Sequence, residues 1–196
     1  MGCGRGKILG KLSRELKLKT KPIGIDTERH KDRDKRIDFK KIDALTFFKN
    51  CNEIFDLILI KQTIHLLKIS EIKKLLNLCK NKLSHNGKII IFTLSSYQNE
   101  LPTFSLMKSQ LKISLERDQK ILKLISKLHS RKITKKFIFD VKISKKKYLE
   151  MIKNRYISTL LKFSSRKILK GIEEINLKYN KILKFRDKLE CIILKK

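Results

Sequence analysis

The stretch Gly2-Cys3-Gly4-Arg5-Gly6, which directly follows Met1, decides how the rest of the chain is interpreted. Glycines at alternate positions permit a tight turn and let a ligand come close to the backbone. Apolar residues then recur at helical spacing: Ile8, Leu9, Leu12 and Leu16. A glycine loop that leads into a helix N-terminus offers unpaired N–H groups to an anion. The loop is therefore a candidate ligand site, although a short glycine pattern alone is weak evidence.

The composition predicts one ordered domain. The chain has 196 residues, of which 41% are hydrophobic, enough to bury a core. No apolar run approaches the roughly 20 residues that span a bilayer, and no secretory signal is seen, so we expect a cytoplasmic protein. The cysteines are far apart, and neither they nor the histidines show metal-ligand spacing, so no metal site is predicted. These residues are Cys3, Cys51, Cys79, Cys191, His30, His85 and His129.

The net charge of +30 has two possible explanations. Lysine and arginine neutralise phosphates, so a nucleic-acid partner is possible. The alternative is a bias toward A/T-rich codons, because lysine outnumbers arginine and lysines occur in nearly every segment. The sequence contains no recognisable nucleic-acid-binding module and few aromatic residues for base stacking. Both explanations stay open.

The first half of the chain alternates predicted strands and helices. Strands are expected at residues 21–26, ending in Asp26, and at residues 36–42, followed by Asp43 and Ala44; a buried strand is expected at residues 55–60. Ser70 is expected to cap the next helix, which Asn86-Gly87 would end before a strand at residues 88–94. This alternation predicts an α/β fold with a mostly parallel sheet.

The second half is predicted to be more helical. A helical region is expected around residues 98–132, followed by a strand at residues 137–143. A helical stripe would run from Tyr148 through Tyr156 to Leu160, Ser165 would cap another helix, and residues 189–194 would form the last strand. No repeat or linker divides the chain. We therefore expect one domain over residues 1–196, with a cofactor-binding half (1–97) and a half that holds the helical insertion, the substrate side and the last strands (98–196).

Five motifs together resemble the class I S-adenosylmethionine-dependent methyltransferases. They are Gly2-Cys3-Gly4-Arg5-Gly6, Gly24-Ile25-Asp26, Ile42-Asp43-Ala44, Phe55-Asp56-Leu57-Ile58 and His85-Asn86-Gly87-Lys88-Ile89-Ile90. The resemblance covers residues 1–95 well and implies a Rossmann-like sheet whose last strand is antiparallel. Around Tyr148 and Arg155-Tyr156-Ile157-Ser158 the chain looks like the helical insertion of small-molecule members such as the trans-aconitate methyltransferase-like group.

The resemblance implies a role for particular residues. Gly2, Cys3, Gly4 and Gly6 would border the methionine portion of S-adenosyl-L-methionine; Asp26 and Thr27 would meet the ribose; Asp43 and Ala44 would meet the adenine; Lys61 and Gln62 would border the methyl group. His65 is a candidate general base or substrate contact, and Tyr148, Arg155 and Tyr156 are candidate substrate contacts.

Structural roles compete with several of these assignments. Asp26 and Asp43 have the alternative of ordinary turn or cap residues, and His65 that of a packed or surface histidine. For Tyr148, Arg155 and Tyr156 the alternative of an apolar stripe and a charged surface is favoured over the substrate role.

The resemblance also implies the reaction. The expected function is transfer of a methyl group to a small-molecule acceptor. The family has a first, central strand before the glycine loop, and here Met1 stands where that strand would end. The chain thus reads as N-terminally truncated. Three hypotheses follow: a methyltransferase that extends upstream, a non-catalytic methyltransferase-like protein that binds a partner, and an RNA methyltransferase or RNA-binding protein. The oligomeric state is left open by the sequence.

Overall fold

The computed structural model describes residues 1–95, 100–129 and 131–196. The helices are α1 (Lys7–Glu15), α2 (Ala44–Asn50), α3 (Ile69–Asn81), α4 (Ser105–Leu128), α5 (Lys145–Lys153) and α6 (Ser165–Lys178). The strands are β1 (Ile23–Asp26), β2 (Asp38–Lys41), β3 (Phe55–Lys61), β4 (Leu83–Leu94), β5 (Lys132–Ser144) and β6 (Ile182–Lys195). Short 3-10 turns occupy Ile64–Leu66 and Ser158–Lys162.

The strands form two sheets. β1 and β2 pair in parallel, with Asp26 opposite Lys41. The second sheet has the strand order β3-β4-β6-β5, and β3 and β4 are parallel. The sheets are mostly parallel with one antiparallel strand, which confirms the predicted α/β methyltransferase-type architecture. Because β1 and β2 are parallel, their carboxyl ends lie at the same edge, where ligands bind in open α/β sheets.

The chain divides into two compact units. Unit 1 comprises residues 1–93, 125–135 and 191–196, and unit 2 comprises residues 94–124 and 136–190. The expected boundary between the two halves, at residues 97 and 98, lies outside the described residues. The single-domain organisation stays a prediction.

The core of unit 1 is formed mostly by branched aliphatic and phenylalanine side chains that lie in or next to its strands and in α2 and α3. Its buried members include Ile25, Ile37, Phe47, Phe48, Ile58, Ile60, Ile72, Leu75, Leu76, Cys79, Ile89 and Ile91. α2 was not predicted from the sequence. Its rings Phe47 and Phe48 are in edge contact, with centroids 5.1 Å apart. The apolar side of α1 is only partly covered, since Ile8 and Leu16 remain exposed.

The core of unit 2 is built around large side chains that lie far apart in sequence. Its buried cluster contains Phe104, Met107, Tyr148, Ile152, Leu160, Phe163, Ile168, Ile175 and Leu183. The ring of Phe104 lies against Gly171, where an added Cβ would come within 2.6 Å of the ring. A glycine is therefore required at residue 171 for this ring to pack.

Several predicted element ends are wrong. Lys68, rather than Ser70, precedes α3, and the Glu71 side chain accepts a hydrogen bond from the Lys68 N–H (2.7 Å). Ser164, rather than Ser165, caps α6 by accepting from the Lys167 N–H. In both cases the helix begins one or two residues earlier than expected. Before α6 the Ser164 hydroxyl satisfies a first-turn donor, whereas before α3 the Glu71 carboxylate accepts from the Lys68 N–H and Lys68 itself makes no side-chain cap.

Two further predictions in the same regions are wrong. Asn86-Gly87 lies inside β4 instead of ending a helix, at an irregularity where Leu83 pairs with Phe55 but Lys88 pairs with Leu57. The helical stripe expected to run from Tyr148 through Tyr156 to Leu160 is interrupted, because α5 ends at Lys153 and a separate 3-10 turn occupies Ser158–Lys162.

Candidate functional site

The glycine loop is the first part of the candidate site. Gly2, Gly4 and Gly6 have φ values of 60°, 52° and 69°, in the left-handed region that favours glycine. The Cys3 N–H donates to the Ile25 carbonyl on β1 (3.0 Å). The Met1 nitrogen donates to the Leu59 carbonyl on β3 (2.8 Å). The loop is thereby held between β1 and β3, and Gly6 leads directly into α1.

Asp26 joins the glycine loop to the end of β1. Its Oδ2 accepts a hydrogen bond from the Gly4 N–H (2.7 Å), and its Oδ1 accepts from the Glu28 N–H (3.0 Å). The carboxylate is half-buried. Since an ionised carboxylate offers about four lone-pair sites, these two bonds leave acceptor capacity for a ligand. The neighbouring Thr27 is exposed.

Asp43 lies beyond the end of β2 and caps α2. Its Oδ1 accepts a hydrogen bond from the Thr46 N–H (2.9 Å). Hydrogen bonding by the Thr46 side chain, and then by its N–H, holds the pKa of this carboxyl below its usual range. The Ile42 N–H donates to the Asp26 carbonyl (3.0 Å), so the two acidic positions are joined through the backbone. The cap role proposed as the alternative for Asp43 is therefore present. The hydrogen bond that caps α2 uses the Oδ1 atom of Asp43.

Lys61 and Gln62 follow at the end of β3. The Lys61 Nζ donates to the Gln62 Oε1 (3.2 Å), and Gln62 has a φ of 53°, unusual for a residue with a side chain. The next residue, Thr63, packs against the glycine loop: a Cβ added at Gly2 would come within 1.9 Å of the Thr63 Cγ2. The Thr63 Oγ1 is buried without a hydrogen-bond partner among the described residues. No sequence pattern had indicated a role for Thr63.

His65 and Cys3 are the two side chains near the loop that could in principle take part in proton transfer or nucleophilic attack. His65 lies in the 3-10 turn that follows Thr63 and is half-buried. Burial raises the pKa of the Cys3 thiol, so this thiol is kept protonated and is a poor nucleophile. His65 is therefore the candidate for proton transfer near the loop.

Solved structures with the same fold were found by comparison. The plantazolicin methyltransferase BpumL superimposes with a TM-score of 0.52 at 17% identity, covering 99% of this chain and 74% of its own. A SAM-dependent methyltransferase from Archaeoglobus fulgidus gives 0.55 at 22% identity, covering 100% and 83%. A putative methyltransferase from an antibiotic biosynthesis pathway of Anabaena variabilis gives 0.65 at 12% identity, covering 99% and 88%.

The chain has the class I S-adenosylmethionine-dependent methyltransferase fold. The resemblance read from the five sequence motifs is confirmed at the level of this fold. No protein-family model matches the sequence, and no curated protein matches it.

The three expected substrate residues of this methyltransferase fold lie in unit 2. Tyr148 is buried and its hydroxyl donates to the Pro102 carbonyl (2.6 Å). The Arg155 guanidinium donates to the Phe163 carbonyl (3.0 Å), and Tyr156 is 71% exposed. The structure thus gives Tyr148 and Arg155 bonds that stabilise unit 2 itself. Their substrate role stays a prediction.

Asp34 is a structural residue that sequence reasoning missed. It lies in the polar stretch between β1 and β2, yet its side chain is buried. The Arg36 guanidinium donates to both carboxylate oxygens (2.8 and 2.6 Å), which holds the pKa of Asp34 well below its usual range. The carboxylate lies against Gly10 of α1, where an added Cβ would be 2.3 Å from the Asp34 Cγ. This contact fixes α1, and with it the glycine loop.

Within residues 1–95, 100–129 and 131–196, no three His, Cys, Asp or Glu side chains are grouped to hold a metal ion. In the same ranges, no helix combines the length and apolar character needed to cross a membrane.

Proposed function

We propose that this chain binds S-adenosyl-L-methionine and transfers its methyl group to a small-molecule acceptor. One observation carries the proposal: the hydrogen bond from the Gly4 N–H to the Asp26 carboxylate (2.7 Å), which fixes the glycine loop to the carboxyl end of β1. Asp43 lies beyond the end of the adjacent parallel strand. Open α/β sheets bind nucleotides at this edge.

The residues present fit the chemistry of the cofactor. A Cβ built at Gly4 meets no atom within 4 Å, so the loop surface is open at this position. Asp26 keeps acceptor capacity for the ribose hydroxyls. Asp43 keeps an oxygen beyond the one that caps α2, and a carboxylate suits the exocyclic amine of adenine.

The proposal also assigns a place to the remaining predicted positions. Gly2, Cys3 and Gly6 would border the methionine portion, with Thr27 and Ala44 beside the ribose and adenine contacts. Lys61 and Gln62, at the end of β3, would border the methyl group. The comparison structures support the choice of cofactor, since BpumL was crystallised with SAH.

In this reaction the protein orients the bound molecule, excludes water and accepts a proton. The cofactor, when bound, supplies an electrophilic methyl group on a sulfonium. The glycine loop and Asp26 orient the bound molecule, and the apolar side chains beneath them exclude water. An imidazole nitrogen of His65 would accept the proton from an acceptor hydroxyl or amine, if that proton leaves near the transition state. The thiol of Cys3 takes no part, because it is protonated.

Two observations favour a small-molecule acceptor. BpumL was crystallised with desmethylPZN analogs, and the Anabaena variabilis structure is described as an antibiotic-pathway methyltransferase. The RNA alternative rests on the net charge of +30 alone. The non-catalytic alternative is separated from catalysis by experiment.

Calorimetric titration with S-adenosyl-L-methionine and with SAH tests the cofactor. We expect micromolar binding that falls about 30-fold or more in Asp26→Ala, since a carboxylate that accepts from two hydroxyls is lost. Asp38→Ala is the matched control, because Asp38 is an exposed acid at the opposite end of β2. Equal binding by both variants, or none by the unaltered chain, would show the assignment to be wrong.

The acceptor is tested with methyl-labelled cofactor and a cell extract separated into small molecules and RNA. Label is expected in the small-molecule fraction and is expected to be lost in His65→Gln at neutral pH with cofactor binding retained. Label in a ribonuclease-sensitive fraction would favour the RNA alternative. Tight cofactor binding with no label in either fraction would favour the non-catalytic one.

A further inference from the structure

The outer edge of β5 is the feature that the proposed function leaves unused. β5 is the last strand in the order β3-β4-β6-β5, so no strand of the described residues pairs with its far side. It is 13 residues long, and its residues are exposed from Lys132 through Asp140. A long exposed edge strand presents a row of N–H and C=O groups that can pair with another chain.

The centre of this edge is apolar on both faces. Phe137 and Phe139 lie on one face, stacked with ring centroids 6.4 Å apart. Residues alternate between faces, so Lys136, Ile138 and Asp140 lie on the other. Ile138 is 59% exposed and Phe139 is 51% exposed. Exposed apolar side chains on both faces of an edge strand are typical of a strand that pairs with a partner.

We propose that two copies of this chain pair antiparallel through β5, about a two-fold axis at Ile138. This register follows from the charges of the strand. Asp140 is the one acidic residue of Lys132–Ser144, and the axis at Ile138 places it opposite Lys136 of the second copy, twice per dimer. The same axis places Phe137 opposite Phe139 of the second copy. Opposite-charge and aromatic cross-strand pairs both stabilise a sheet.

Neighbouring registers are disfavoured by the lysines. A two-fold axis perpendicular to the sheet must lie midway between a residue and the same residue of the second copy, because only then do paired side chains share a face. We name each register by that residue. An axis at residue 137 places Lys132 opposite Lys142, and an axis at residue 139 places Lys136 opposite Lys142. The axis at Ile138 brings no lysine of the strand opposite another lysine. Like charges directly opposite one another destabilise a pair of strands.

A charge exchange tests this register by sedimentation equilibrium at moderate salt. We expect the unaltered chain to be a dimer and Lys136→Asp or Asp140→Lys to weaken it about tenfold or more, because each places like charges opposite one another twice. The double variant restores the opposite charges and is expected to dimerise as the unaltered chain does. An equimolar mixture of the two single variants is expected to form a heterodimer, since all its pairs are complementary.

Lys142→Asp is the matched control. It changes the net charge as Lys136→Asp does, but its partner in the proposed register is the uncharged Thr134. It is expected to leave the dimer intact. Circular dichroism establishes that each variant is folded.

A monomeric unaltered chain would overturn the proposal, even if another protein binds β5. A dimer insensitive to either single variant would place the interface elsewhere. Failure of the double variant and of the mixture to restore the dimer would show the register to be wrong.

Discussion

The two units of this chain fix their important residues by different means. In unit 1, main-chain groups of the glycine loop bond to strand ends, as in the contacts of Cys3 with Ile25 and of Gly4 with Asp26. In unit 2, polar atoms of large side chains bond to backbone carbonyls inside the unit, as Tyr148 does. The carboxylates at the ends of the short strands β1 and β2 keep hydrogen-bond acceptor capacity, whereas polar atoms in the core of unit 2 are used for the stability of that unit.

The largest expected effect concerns the core of unit 2. Phe104→Ala removes a ring that is 2% exposed and packs on Gly171 and on Phe163, whose ring centroid is 6.0 Å away. We expect the free energy of unfolding to fall by about 3–5 kcal/mol, as for other buried phenylalanines. Urea denaturation measures it. Leu177→Ala on α6, where the side chain is 90% exposed, is the control and should change it by less than about 0.5 kcal/mol.

An intermediate effect is expected where α1 meets Asp34. Alanine is normally favoured over glycine in a helix by about 1 kcal/mol. Gly10→Ala should instead destabilise the protein by about 1–3 kcal/mol, because its Cβ would overlap the Asp34 carboxylate. Thermal unfolding of Gly10→Ala beside Lys11→Ala, an exposed neighbour, measures the difference. A stabilised Gly10→Ala variant would mean that the Asp34 and Arg36 pair moves freely.

The smallest expected effect depends on pH and concerns Asp118 of α4. This side chain is 7% exposed, and burial raises its pKa from 3.8 to about 6. Between about pH 4 and pH 6 the Asp118 carboxyl is therefore protonated in the folded state, whereas the unfolded chain has already released this proton. The stability that protonation provides is fully present below about pH 4 and is lost as the pH rises through 6.

Asp118→Asn removes this dependence. At pH 7.5 we expect the variant to be more stable than the unaltered chain by about 1 kcal/mol. Raising the pKa of a buried carboxyl from 3.8 to about 6 corresponds to about 3 kcal/mol, and the buried asparagine amide retains part of this desolvation cost. The advantage should shrink toward pH 4. Urea denaturation at several pH values measures it, with Glu116→Gln on the exposed side of α4 as control. An advantage that did not vary with pH would contradict the raised pKa.

Sequence reasoning predicted what short-range patterns determine. Short, continuous apolar runs located β1, β3 and β4, and an acidic residue at a strand end is visible without tertiary structure, as with Asp26 and Asp43. The fold followed from the order of those motifs. The glycine spacing correctly predicted a tight loop, because the left-handed φ values at Gly2, Gly4 and Gly6 admit few other residues.

What sequence reasoning missed depends on contacts between distant residues. Asp34 is one of several charged residues in a polar stretch, and only the position of α1 shows why it is buried. Thr63 is unremarkable in sequence but packs on Gly2, sixty-one residues earlier. Asn86-Gly87 is a typical turn signal, but pairing of β4 with β3 places it inside a strand with an irregular register. Tertiary pairing overrides local preference in each case.

The thiol of Cys3 has a practical consequence. Among the cysteines of the described residues, Cys51, Cys79 and Cys191 are buried, while Cys3 is half-exposed. It lies inside the glycine loop, with its sulfur 3.0 Å from where a Cβ of Gly24 would be. Alkylating reagents are therefore expected to reach this sulfur before the buried ones. Its raised pKa keeps the thiolate fraction small at neutral pH, so labelling is slow and speeds up at alkaline pH or when the loop opens to water. The chain carries its own chemical reporter of loop motion, one that reads out in a mass spectrometer without any introduced label.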